Sequence, residues 1–209
     1  MKTIATVLFL VITLGLHAQE KFSAGVGIEG FNSSPKNLFT PYAHIKQSLG
    51  TGAGIYFSAT VWKSFSANTG LNYRFVSFDC SRDFYSGNQL VSTDQFSYKQ
   101  NTLVVPVNIR KNINKWLFAE TGIELNWILN REVKKPQNEI LWKIGLGSKI
   151  GRLNYSLNYL WETQEQSDVI NYGPAEEYKF AAVKYKNRML QFTVTYPIWV
   201  KKQKNSVQP

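Results

Sequence analysis

Gly25, Gly27 and Gly30, within "AGVGIEG", have the G-x-G-x-x-G spacing of a loop that holds a dinucleotide phosphate. That chemistry needs a strand before the glycines and a helix after them, so that backbone amides and the helix N-terminus meet the phosphate. Here Phe31-Asn32-Ser33-Ser34-Pro35 follows, which ends a strand and opens no helix. Nucleophilic catalysis of the Ser/His/Asp or Cys/His kind needs a histidine. Beyond residue 18 the chain offers only His44, in or near a loop, and a single cysteine, Cys80. Glu120 and Glu124 share one strand face but stand about 13 Å apart along it, too far for paired-carboxylate catalysis. No His, Cys or carboxylate cluster has metal-ligand spacing, and one cysteine cannot form an intrachain disulfide. These residues lead to the expectation of no enzyme, no cofactor and no metal.

The elements that carry these residues show period two throughout, the mark of strands with two unlike faces. In "FSANTGLNYRF", Phe65, Ala67, Thr69, Leu71, Tyr73 and Phe75 alternate with Ser66, Asn68, Gly70, Asn72 and Arg74. In "KWLFAETGIELNWIL", Leu117 through Leu129 alternate with Glu120, Gly122, Glu124 and Asn126. Eight strands are expected, near 21–31, 50–62, 65–80, 99–113, 115–129, 139–150, 153–165 and 187–200; alternation before the second and last allows starts near Thr40 and Tyr178. Tight turns join them around 62–64, 112–115 and 151–153. Longer links span roughly 32–49, 81–98, 130–138 and 166–186. Short and long links alternate, so an up-and-down antiparallel sheet gathers all short turns at one end and all long loops at the other. That is the layout of an outer-membrane barrel.

The first residues fit export. Lys2, an apolar run from Ile4 to Leu16 and the small Ala18 read as a signal peptide spanning residues 1–18. The run is shorter than the ~20 residues of a spanning helix. Residues 19–200 then form the barrel and 201–209 a polar tail. Loss of residues 1–18 removes only Lys2 and takes the formal net charge from +10 to +9. The bases are scattered along the sequence, so nucleic acid is not expected; attraction to an anionic membrane surface or lipopolysaccharide is the more natural use of the charge.

Alternation alone leaves open which face points inward. A lipocalin-like barrel also has eight strands, with its apolar face inside. Three features favour the reverse. Trp127, Trp142 and Trp161 sit on apolar faces near the long-loop end, as an aromatic girdle would. Trp62, Trp116 and Trp199, at the other end, fall by parity on the polar face or in turns. The polar faces carry four acids and four bases, Glu29, Arg74, Arg110, Glu120, Glu124, Lys143, Lys149 and Glu162, a balance a dry lumen requires. Glycines 25, 27, 52, 54, 70, 122, 145 and 147 share those faces and clear room in an interior barely wide enough for side chains. Pro106 and Pro197 lie inside strands, facing the lumen, where bulges would absorb them.

Two segments resemble a known family. "NTLVVPVNIRKNINKWLFAETGIELNWIL", residues 101–129, is similar to the middle hairpin of PorT-like outer-membrane β-barrels, and "NRMLQFTVTYPI", residues 187–198, to their last strand. The resemblance implies an outer-membrane barrel and an accessory role in a secretion or envelope-assembly machine. The expected fold is thus all-β, an eight-stranded antiparallel up-and-down transmembrane barrel with a side-chain-plugged lumen. The expected role is structural or interactive, with loops 80–100 and 163–180 offering aromatics and charges to a protein partner. A periplasmic lipocalin-like binder and an outer-membrane lipid-modifying enzyme, with His44 as its first candidate, are the alternatives.

Overall fold

The computed structural model describes residues 21–34, 36–37, 43–45, 48–86, 89–129, 139–164, 166–171 and 180–202. The expected signal peptide and most of the expected tail lie outside them. In chain order the strands are β1 (Lys21–Ser33), β2 (Lys36–Asn37), β3 (Ala43–Ile45), β4 (Ser48–Trp62), β5 (Phe65–Ser86), β6 (Gln89–Asn112), β7 (Leu117–Ile128), β8 (Glu139–Ile150), β9 (Leu153–Glu162), β10 (Gln166–Asn171), β11 (Phe180–Lys186) and β12 (Arg188–Lys202). Eight of them run β5-β4-β1-β12-β9-β8-β7-β6, and a β5–β6 pairing closes the ring. Every pairing is antiparallel, and the first strand meets the last, Lys21 opposite Lys202 and Ser33 opposite Met189. The fold is a closed all-β barrel of eight antiparallel strands.

The faces sort as a lipid-facing barrel requires. Ile28, Ile55, Leu71, Ile109, Ile144, Leu146, Leu157 and Phe192 are exposed on the outside, whereas Glu29, Arg74, Glu120, Glu124, Lys143 and Gln191 are buried within. A barrel stable in water has the opposite polarity. The alternation that makes these strands therefore also decides which surface each strand gives to the lumen.

Two expectations about the connections are corrected. The link expected at 81–98 is strand: β5 and β6 continue outward to Ser86 and Gln89, leaving residues 87–88 between them. A continuous ladder holds this extension together, with Phe78 opposite Tyr98, Cys80 opposite Phe96 and Arg82 opposite Asp94, the last an opposite-charge pair that favours pairing. Thr93 Oγ1 also donates to Asp83 Oδ1 at 2.7 Å. The "SGNQ" between the strands contains a Gly-Asn pair, the sequence signal of a hairpin turn. The link expected at 166–186 likewise contains β10 and β11, which pair with each other and, through Tyr185 and Lys186, with β2. The second barrel strand starts at Ser48; the alternation before it belongs to β3, which pairs instead with β5, Ala43 opposite Arg82.

Bulges account for the next correction. The β4–β5 register shifts between Thr60 and Trp62, and the β1–β12 register shifts so that Ala24 opposes Trp199 while Gly25 opposes Pro197. One extra residue reverses the face of everything beyond it. Trp62 and Trp199 consequently stand outside the barrel, and Trp116 is exposed in its turn. All three are exposed aromatics at the short-turn end, where parity had put them on the polar face or in turns; Trp116 keeps its turn position, and Trp62 and Trp199 change face. Pro197 abuts a bulge as expected. Pro106 does not: pairing skips from Thr69↔Val107 to Asn72↔Val104 with the register unchanged, so proline simply forfeits rungs there.

Candidate functional site: the charged layer in the lumen

Six of the eight charged residues expected in the lumen meet in one network. Glu29 on β1 and Arg74 on β5 are separated by one strand, and the residue between them on β4 is Gly52. A Cβ on Gly52 would stand 2.6 Å from Glu29 Oε1, so the missing side chain lets the carboxylate lie across β4. Arg74 Nε contacts Glu29 Oε1, and Arg74 Nη2 donates to Glu29 Oε2 at 3.1 Å. Its Nη1 lies 2.6 Å from Glu124 Oε2 on β7. Arg74 thus bridges opposite walls of the barrel.

The second half of the network is built around Glu120. Arg110 stands directly opposite it on β6 and holds its Oε2 through Nη2 at 2.9 Å. Lys143, on β8, faces Gly122. From there its Nζ reaches Glu120 Oε1 at 3.1 Å and Glu124 Oε1 at 3.9 Å. Three glutamates and three bases therefore neutralise one another within a few ångströms, which a low-dielectric lumen demands because an unpaired buried charge is strongly destabilising. Gln191 ties the network to neutral polar groups: its Nε2 donates to Glu29 Oε2 at 2.6 Å, and its Oε1 accepts from Asn158 Nδ2 at 3.2 Å.

A common device recurs through the lumen: long side chains face glycines on neighbouring strands. Gly147 opposes Phe118, and Gly145 opposes both Glu120 and Asn158. A Cβ on Gly147 would strike the Phe118 ring, and one on Gly145 would strike Asn158 Oδ1. The space freed lets Phe118 bury almost completely, and the Arg110 guanidinium stacks on its ring at 3.8 Å from the centroid, a favourable cation–π geometry.

Above this layer, toward the outer end, Val104, Leu141 and Leu160 are fully buried, beside Phe31, Val76 and Phe78. Glu139 accepts from Asn187 Nδ2 at 2.9 Å and lies 3.5 Å from Asn126 Nδ2. A cavity of about 70 Å³ adjoins the layer, bordered by Glu29, Arg110, Glu120, Glu124 and Lys143 on one side and by Tyr56, Asn68, Asn108, Thr193 and Thr195 on the other. It has room for roughly five waters.

Lys149 and Glu162 do not join the network. Lys149 lies toward the short turns, its Nζ donating to Asn112 Oδ1 at 3.1 Å. Glu162 lies near the outer end, where its Oε2 accepts from the Asn187 amide at 3.2 Å. Of the expected girdle, Trp142 is exposed on the outside and Trp127 and Trp161 are half-buried there. Trp161 stacks on Tyr159, 5.8 Å between ring centroids. Gln191, Asn158, Glu139 and Phe118 belong to the buried set; the sequence reading had Asn158 on the inward face and missed the other three. For Glu139 and Gln191 the signal was in the parity, since each lies two or four residues from an inward neighbour. Phe118 had the same parity, two residues from Glu120, but its apolar side chain read against an inward place.

His44 lies on β3 opposite Ser81. Cys80 is buried in the outward extension of β5. Its burial, reinforced by the charge of Asp79, pushes the thiol up to about 12, which keeps it protonated and unreactive as a nucleophile. Among the described residues no group of three His, Cys, Asp or Glu is arranged to hold a metal ion.

No family model matches this sequence, and no curated protein matches it. Among solved structures it is similar to the outer membrane protein OprG from Pseudomonas aeruginosa, at 12% identity over 86% of this chain and 97% of that one, with a TM-score of 0.48. It is also similar to the outer membrane protein AlkL, at 9% identity over 91% and 94%, TM-score 0.48. A third likeness is to Ail, the attachment invasion locus protein of Yersinia pestis, at 10% identity over 86% and 99%, TM-score 0.38.

Proposed function

We propose that this chain is an integral outer-membrane protein whose lumen is closed to through-flow by its own side chains, and that it serves the envelope without catalysis, as a structural or docking element. The observation that carries the reading is the Arg74 bridge. One guanidinium holds carboxylates from opposite walls, Glu29 and Glu124, under a cap of fully buried Val104, Leu141 and Leu160. A water-filled channel would leave these groups wet. The exposed apolar outer face supports residence in lipid.

The parts available to a partner are then at the outer end. The β5–β6 hairpin extends past the barrel wall, and β10, β11 and β2 form a second small sheet there. Both lie in or beside the stretches 80–100 and 163–180, which combine aromatics with charges and suit docking of a protein or of lipopolysaccharide. The resemblance to PorT-like barrels adds the narrower reading of an accessory to a secretion or assembly machine.

Planar bilayers test the closed lumen. The reconstituted chain is expected to show no stepwise conductance of open-pore size, and such steps would overturn the reading. Recovery in the soluble periplasmic fraction without detergent would overturn membrane residence itself.

A further inference from the structure

The topology gathers bases that the sequence scatters. The short-turn end is made of residues 21–24, 60–66, 111–117, 148–154 and 198–202, and these segments contain eight Lys or Arg and no Asp or Glu. Glu20 and Lys204, just outside the described residues, cancel each other. The links at the other end, 32–49, 79–99, 130–138 and 163–187, carry ten bases against eight acids. Nearly all of the excess positive charge of the mature chain therefore sits on one rim.

That rim is built for an interface. Lys63, Lys111, Lys115, Arg152 and Lys201 are all exposed. Three of them lie over exposed or half-buried aromatic rings: Lys63 over Trp62 at 5.5 Å, Lys111 over Phe65 at 5.6 Å and Lys115 over Trp116 at 5.2 Å. The 112–116 turn is fixed by Asn114, whose Oδ1 accepts from the amides of Trp116 and Leu117, both at 2.8 Å. Lys63 occupies a left-handed turn position, φ 37°, where Gly or Asn is the ordinary choice. Tryptophan with lysine at the edge of an apolar band marks the headgroup level of a bilayer, with amphipathic stems in the apolar region and ammonium groups at the phosphates.

We infer that this rim is a binding collar for anionic phospholipid headgroups in the inner leaflet of the outer membrane. The inference rests on the membrane reading above. Short turns of such barrels face the periplasm, so the collar meets the phospholipid leaflet, and the near-neutral outer links meet lipopolysaccharide. The orientation assigns the chain's charge to phosphatidylglycerol-like lipids.

The test uses the full chain in nanodiscs with equal phosphatidylglycerol and phosphatidylcholine, and counts the lipids retained by native mass spectrometry. Each base near an anionic surface favours binding roughly fivefold. Phosphatidylglycerol is therefore expected to be retained at least about fivefold over phosphatidylcholine, with the preference shrinking in ~1 M salt. The combined variant K63Q/K111Q/K115Q/R152Q/K201Q is expected to fold with an unchanged β-sheet circular dichroism spectrum and to retain both lipids equally. Equal retention by the native chain would overturn the inference, and so would a preference that survives in the variant. Stronger retention of lipopolysaccharide than of phosphatidylglycerol would overturn it in favour of the other leaflet. Binding of polyglutamate by the native chain, without lipid preference, would overturn it in favour of an acidic macromolecule. A chain that never enters the nanodiscs fails the membrane reading, whereas one that enters without preference fails this inference alone.

Discussion

Bases in the lumen and bases on the inner rim keep opposite company. Arg74, Arg110 and Lys143 each lie within 4 Å of a glutamate. Lys63, Lys111 and Lys115 lie over aromatic rings in segments without any acid. The difference is dielectric. Inside the barrel the charges are shut off from bulk water and from lipid headgroups, so the protein must supply most of the counter-charge itself. At the rim, water and any anionic surface supply it. The same residue types are therefore part of the folded core at one place and adjustable surface at the other.

Breaking the lumen side of this contrast has the largest expected effect. Arg74→Met leaves Glu29 and Glu124 buried without their shared cation and is expected to destabilise the barrel by about 3–5 kcal/mol, read from urea unfolding in lipid vesicles. Adding Glu29→Gln and Glu124→Gln should recover part of that loss; if the triple variant is no better than Arg74→Met, unpaired charge is not the reason. Next comes a charge placed where neither acid nor water can serve it. Leu71→Arg, on the outside at mid-barrel, is expected to lose about 2–4 kcal/mol, and an unchanged unfolding curve would mean that this face does not meet lipid.

A pair of glycines sharpens the contrast without any charge. A Cβ at Gly122 meets the Val107 carbonyl and Asn108, while one at Gly30 meets nothing within 4 Å. Gly122→Val is expected to lose about 1–3 kcal/mol by overpacking, and Gly30→Ala to stay close to the native chain in the same assay. The smallest effect is expected at the rim. Lys111→Gln should change stability by no more than about 0.5 kcal/mol, and a loss comparable to that of Arg74→Met would erase the distinction between the two sets of bases.

The lumen was largely legible from period two, because each inward position is fixed by its neighbour two residues away. Glu29, Arg74, Glu120, Glu124 and Lys143 all followed from that rule. What the rule could not supply was the partner of each. Arg74 and Glu29 are 45 residues apart, and their meeting depends on ring closure and on the gap at Gly52. Parity also failed where a strand gained a residue. Trp62 changed face across a bulge that no residue type announces, and Trp199 across one that Pro197 marked without giving its effect on parity. The strand extensions beyond Cys80 were missed because exposed polar alternation reads equally well as loop.

By itself the sequence determined the number of barrel strands, their two-faced character and the places of the tight turns, since each depends on local alternation and turn chemistry. Only the closed barrel decided the rest. Closure gives the faces opposite surroundings, presses six charges into one neutral layer, and brings three distant turns and both ends of the barrel sheet to one rim. That is why bases scattered over 180 residues of chain, from Lys21 to Lys202, become a single positive collar.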